Sequence, residues 1–165
     1  MFKTERHELD YERTDDVSVL SDFYCGIDEM DEHIHKRLQS DIDSEINSET
    51  FIIRNDGEIV ATTTIVKKDI EIEVPDGKFS LEAMEIEYLA VRKDMQRKGI
   101  GKQILAWIER KVYDECKEIR YLSVCAYIDV DTKYTAEPFY AKSQFMPNSK
   151  PHPLANHVKM VKIIR

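Results

Sequence analysis

One stretch constrains this chain more than any other. A strand-patterned run ending in Glu85-Ile86-Glu87-Tyr88-Leu89-Ala90-Val91 leads through a basic loop, QRKGIG at 96–101, into an apolar-striped segment. Glu85, Glu87 and Leu89 fall on one face and Ile86, Tyr88 and Ala90 on the other, which predicts a strand from Phe79 to Val91. Ile104, Leu105, Ile108 and Val112 recur at helical spacing and predict a helix over 99–115. A strand that passes through a loop into a crossover helix restricts the chain to a mixed α/β fold. The first turn of such a helix presents unbonded N–H groups and a dipole that favours anions. Gly99 and Gly101 let a phosphate approach the main chain with no Cβ in the way. Arg97, Lys98 and Lys102 add positive charge at the same place, in a chain of net charge −8. These residues fit a diphosphate cradle. The Lys-Ser/Thr ending of a Walker loop is missing, and so is the full GxGxxG of dinucleotide folds. The competing reading is a glycine loop that merely lets a helix pack close to a sheet.

The remaining pattern places that unit. The length of 165 residues suits one domain, taken as 1–165. Met30, Ile34 and Leu38 predict a helix over 28–38, with Asp28, Glu29, Asp31 and Glu32 as its solvated face. FIIR at 51–54 and EIVATTTIV at 58–66 flank Asn55-Asp56-Gly57 and read as a hairpin. Pro75-Asp76-Gly77 is a second turn. Strands are expected at 121–128 and 157–164, and a short helix at 136–142. The order predicts a largely antiparallel sheet with one crossover.

Composition narrows the function classes. Hydrophobic residues at 42% and charged residues at 34% fit a soluble globular chain. No apolar run approaches the ~18 residues of a membrane span, and MFKTERHELDYERTDD has no signal-peptide core, so a cytoplasmic protein with no membrane partner is expected. The acidic balance makes nucleic acid an unlikely partner and favours a cationic small molecule or basic peptide. Cys25, Cys116 and Cys125 form no CxxC and read as reduced, mostly buried thiols. His33 and His35, two apart, fall on different sides of a helix, so no metal site is expected.

EIEYLAVRKDMQRKGIGKQIL at 85–105 resembles the core motif of GCN5-related N-acetyltransferases (the GNAT family), with Gln96, Gly99 and Gly101 matching its Gln/Arg-x-x-Gly-x-Gly/Ala. AEPFYAKSQF at 136–145 is similar to the family's A-x-x-F-Y-x-x-x-G-F segment. FYCGIDEMDEHI and the hairpin after it are similar to the toxin-type branch, which acetylates charged tRNA and is neutralised by a small antitoxin. The resemblance implies a GNAT-like mixed, mostly antiparallel twisted sheet with flanking helices and a central splay. It implies acetyl-CoA as the donor, no metal, and a homodimer. Backbone groups of Leu89, Ala90 and Val91 would hold the pantetheine arm, and the segment Gln96, Arg97, Lys98, Gly99, Ile100, Gly101, Lys102 the diphosphate. Phe139 is expected to pack in the core and is grouped with the cofactor-binding residues. Lys133 stands where the family often has asparagine, and Gln144 where it has glycine, so the turn after the short helix must differ or carry strain.

Acetyl transfer to an amine requires proton loss from the amine, a polarised thioester carbonyl and a protonated leaving thiolate. The resemblance gives Tyr140 the last role, for which a phenol is suited. Glu85 resembles the family's general base, and Glu87 on the same face is equally eligible; both could instead bind a cationic substrate. Three functions follow: an N-acetyltransferase acting on a small cationic or peptide amine, a toxin acting on aminoacyl-tRNA, or a non-catalytic acyl-CoA sensor.

Overall fold

A computed structural model describes residues 6–44, 47–129, 134–148 and 156–165. The strands are β1 (Leu9–Thr14), β2 (Ser48–Asn55), β3 (Glu58–Val74), β4 (Gly77–Val91), β5 (Tyr121–Asp129), β6 (Tyr134–Thr135), β7 (Met146–Pro147) and β8 (His157–Ile163). The helices are α1 (Asp28–Glu32), α2 (Leu38–Ser44), α3 (Ile100–Glu115) and α4 (Glu137–Ala141). In hydrogen-bonding order the sheet runs β1-β2-β3-β4-β5-β8-β7, with β6 on β5. The β1–β2, β2–β3, β5–β8 and β7–β8 pairs are antiparallel, and β4–β5 is parallel. The fold is therefore the mixed, mostly antiparallel α/β architecture expected. The parallel pairing covers Met84–Ile86 against Leu122–Val124, although β4 runs on to Val91 and β5 to Asp129.

The chain forms two compact units, one of residues up to Val66 with Tyr88–Ile104, the other of Lys67–Glu87 with Leu105–Arg165. In the first, Asp56 (φ 52°) and Gly57 (φ 80°) make the tight turn between β2 and β3, both with the positive φ that a two-residue hairpin turn of the right twist requires. Its core gathers Leu20, Phe23, Cys25, Ile34, Leu38, Ile52, Tyr88 and Ala90. Buried threonines are all satisfied: Thr50 bonds Thr64 at 2.7 Å, Thr63 donates to the Tyr88 carbonyl at 2.7 Å, and Thr62 donates to the Phe51 carbonyl at 3.0 Å. An unpaired buried hydroxyl costs roughly 1–3 kcal/mol, so this pairing lets polar β-branched residues sit inside the sheet.

Three readings of this region are corrected. Strand β1 was not expected, because LDYERT has only Leu9 and Tyr11 to mark an alternation; ion pairs of Arg54 with Glu12 and Arg13 with Glu49 help tie it to β2. The expected helix over 28–38 continues to Ser44 through a π turn at His33–Arg37. On it Asp31 is buried rather than solvated.

The π turn sets His33 against Tyr88, ring centroids 5.5 Å apart. Burial holds the His33 imidazole below its usual range, against the pull of Asp41 at 3.9 Å; Arg37 adds to the lowering. The unfolded ring titrates near ~6.5, so between the two values the unfolded state binds more protons. The His33 contribution is full above the unfolded value and is lost as pH falls through the folded one. Unfolding by urea at about pH 7.5 and about pH 5 should therefore show a larger acid loss of stability in wild type than in His33→Gln. Equal losses would contradict it.

In the second unit, α3 contributes Leu105, Ile108 and Val112, all buried, and burying one such side chain is worth about 1.5–3 kcal/mol. The guanidinium of Arg165 closes the end of α3, donating to the carbonyls of Val112 (3.2 Å), Tyr113 (2.8 Å), Cys116 (3.1 Å) and Ile119 (2.9 Å). The carbonyls of Val112 and Cys116 also accept the N–H groups of Cys116 (2.9 Å) and Ile119 (3.0 Å), so Arg165 adds to bonds that already close this helix end. Gln144 sits at φ 68° between α4 and Phe145, which is the strain expected where the family has glycine. Cys25 is buried, Cys116 half-buried and Cys125 exposed, so the thiols are less uniformly buried than expected.

Candidate active site

The loop expected to hold phosphate lies in the first unit. Strand β4 ends at Val91, and Arg92 N–H donates to the Val60 carbonyl at 2.8 Å. The Arg92 guanidinium grips Asp94 with two bonds, 2.6 and 3.2 Å, closing a short turn at Lys93–Met95. Arg97 (φ 62°) and Gly99 (φ 85°) then both take left-handed backbone, which turns the chain sharply into α3. Glycine adopts that conformation freely; arginine does so at a cost of about 1–2 kcal/mol. The first α-type bond into the loop is Gln103 N–H to the Gly99 carbonyl, 3.1 Å, so the N–H groups of Ile100, Gly101 and Lys102 lie ahead of it, at the positive end of the helix dipole.

Arg97, Lys98 and Lys102 are exposed around this turn, and none forms an ion pair with a carboxylate among the described residues. Arg92 is neutralised by Asp94, whereas none of these three is paired in that way; Lys98 Nζ lies 3.9 Å from Met95 Sδ. The geometry fits a diphosphate, with backbone donors at the centre and unneutralised cations at the rim. Leu89 and Ala90 are buried at the end of β4, and Val91 is half-buried.

The side chain of Gln96 is occupied elsewhere. Its amide nitrogen donates to the carbonyls of Cys25 (2.6 Å) and Val91 (2.8 Å). The far side of the loop is held by His7, whose Nε2 lies 3.0 Å from the Lys98 carbonyl and whose backbone N–H donates to Gln103 Oε1 at 3.1 Å. No sequence signal marked His7.

The candidate catalytic side chains lie in the second unit. Glu85 is mostly covered, its side chain 13% exposed, and its carboxylate accepts from Lys68 Nζ at 3.1 Å. The hydrogen bond and charge of Glu85 raise the Lys68 ammonium above its ordinary range, so the cation is firmly held. Glu87, two residues on, is exposed. Opposite Glu85 in register stands Ser123. Tyr140 is buried on α4, packed edge-on against Phe139 (5.0 Å between ring centroids) and Phe145 (5.6 Å). The helix is fixed to β5 by Ala136 N–H donating to the Tyr127 carbonyl at 2.9 Å, which positions Tyr140 from the sheet. His35 bonds the Leu20 carbonyl at 3.1 Å while His33 packs on Tyr88, so neither is arranged as a ligand. Lys133 lies outside the described residues. No helix among the described residues is long and apolar enough to cross a membrane.

The family model described as an acetyltransferase (GNAT) domain matches residues 47–147, and the chain belongs to that family. It is an acetyl-CoA-dependent N-acetyltransferase. A search of curated proteins finds no match. Among solved structures the fold is similar to a tyrosine-to-phenylalanine mutant of the toxin AtaT, at TM-score 0.75 and 18% identity, covering 99% of this chain and 94% of that one. AtaT complexed with acetyl-methionyl-tRNAfMet gives TM-score 0.69 at 18% identity, covering 92% and 94%. The KacTA–DNA complex gives TM-score 0.66 at 17% identity, covering 92% of both chains.

Proposed function

We propose that this acetyltransferase moves the acetyl group of acetyl-CoA directly to the α-amino group of an aminoacyl-tRNA. The observation that carries the reading is likeness over nearly the whole chain, the N-terminal half included, to AtaT, a toxin also solved with an acetylated aminoacyl-tRNA. The net charge of −8 argued against a nucleic-acid partner, but it is an average over the chain. The field at one face governs encounter more than that total does.

In this reading the amides from Arg97 to Lys102 and the three cations hold the diphosphate of the donor. The main chain of Leu89, Ala90 and Val91 pairs with its pantetheine arm as an added strand. The amine nitrogen attacks the thioester carbon, the new C–N bond forms, and the C–S bond breaks. Tyr140 donates its phenolic proton to the departing sulfur and regains one from the amine side through solvent. Phe139 keeps the Tyr140 ring in place. Glu85 acts with Lys68 beside it, so it orients the amine rather than serving as a lone base.

A second reading, a small cationic amine as acceptor, is favoured by the acidic surface and by Glu85 and Glu87 on one strand face. Release of CoA from acetyl-CoA, measured against charged tRNA, uncharged tRNA, polyamines, aminoglycosides and peptides, separates the two. Turnover on charged tRNA alone is expected. Turnover on a polyamine or aminoglycoside with none on charged tRNA would replace this reading with the second. CoA binding with no turnover on any acceptor would favour a sensor.

A further inference from the structure

The peptide groups of Cys25 and Gly26 are gripped from both sides. Asp31, buried on α1, accepts the Cys25 N–H at 2.8 Å and the Gly26 N–H at 3.1 Å. Gln96 reaches the Cys25 carbonyl at 2.6 Å and, with the same nitrogen, the Val91 carbonyl at 2.8 Å. Lys93 N–H adds a bond to the Tyr24 carbonyl at 3.0 Å. Gly26 (φ 89°) passes so close that a Cβ there would lie 3.1 Å from Lys93 Cδ. A continuous chain of hydrogen bonds thus runs from the α1 carboxylate, through one peptide segment and one side-chain amide, to the end of β4. The side-chain amide in that chain belongs to Gln96, the residue directly before Arg97 and the left-handed turn.

We infer that Asp31 and Gln96 are positioning residues for acetyl-CoA: they fix the path of the diphosphate loop without touching the donor. A primary amide has two N–H donors, and both of those on Gln96 point at carbonyls, so neither remains for a phosphate oxygen. The Asp31 carboxylate faces two backbone N–H groups inside the core, where a carboxylate is retained because it is fully bonded. Arg97 has no glycine's tolerance for φ 62°, so something outside the loop must hold it there, and the brace supplies that hold. The inference rests on reading this loop as the diphosphate site.

The test is calorimetric titration of coenzyme A into the full-length protein and three variants. Gln96→Met keeps the length of the side chain and removes both donors; Gln96→Arg restores donors; Asp31→Asn removes one acceptor and turns an N–H toward the peptide. Affinity should fall on the order of tenfold in Gln96→Met and Asp31→Asn, and stay at the wild-type value in Gln96→Arg. Amide hydrogen exchange should quicken over 97–102 in Asp31→Asn and not across β5 and β8. If Gln96→Met does not fold, Asp31→Asn and the exchange pattern decide. Wild-type affinity in Asp31→Asn or in folded Gln96→Met would overturn the inference. Failure of wild type itself to bind coenzyme A would overturn the diphosphate reading and this inference with it, and it is seen before any variant is compared.

Discussion

Tyr140→Phe is expected to lower the turnover of acetyl transfer by ~10²–10⁴-fold, the range over which a positioned general acid acts. The substitution keeps the ring, and with it the edge contacts to Phe139 and Phe145 that fill the α4 side of the second unit. Only the hydroxyl is removed. Affinity for coenzyme A should therefore be unchanged. The leaving thiolate then has no adjacent proton donor and must take one from water. Steady-state CoA release, with calorimetry on the same samples, checks both halves. Unchanged turnover would assign Tyr140 to packing alone.

Arg97→Glu combined with Lys98→Glu should weaken coenzyme A binding on the order of 100-fold, since each charge-assisted contact to a phosphate is worth roughly a factor of ten or more. Both side chains are exposed and carry no ion pair among the described residues, so their removal costs the folded protein little beyond the weak 3.9 Å contact of Lys98 Nζ with Met95 Sδ. The Lys98 carbonyl that faces His7 is backbone and survives the change. The loss should shrink as salt is raised, because exposed charges are screened over about 10 Å at 0.1 M. The effect differs in kind from that of the brace: here the path of the loop is kept and its charge reversed. Binding that is unchanged at low salt would mean that the rim does not face the donor.

Much of this was legible because local rules and the tertiary fold agree. The apolar spacing of Ile104, Leu105, Ile108 and Val112 marks α3, and all four are buried. Asp56-Gly57 requires the turn that it makes, and Gln144 in a glycine position foretold the left-handed backbone there. Strand β1 was not legible. An edge strand held by cross-strand ion pairs, with only Leu9 and Tyr11 as half-buried apolar side chains, carries little hydrophobic alternation. Asp31 was misread for a related reason. Within DEMDE nothing distinguishes the buried acid from the solvated ones; the distinction comes from the Cys25 and Gly26 amides above it. Gln96 was correctly marked as part of the loop, but only distances reveal that its donors point inward. The pairing of Glu85 with Lys68 is likewise tertiary: the two stand seventeen residues apart, on different strands.

The acceptor is the central point, and mass spectrometry of the aminoacyl end of tRNA addresses it most directly. The purified protein is incubated with acetyl-CoA and a pool of charged tRNA, and the aminoacyl-adenosine ends are released and weighed. The account predicts that one or more aminoacyl species gains a single acetyl group on its α-amine, and that the gain vanishes with Tyr140→Phe. Aminoacyl ends that stay unmodified, while the same protein acetylates a small amine, would contradict it.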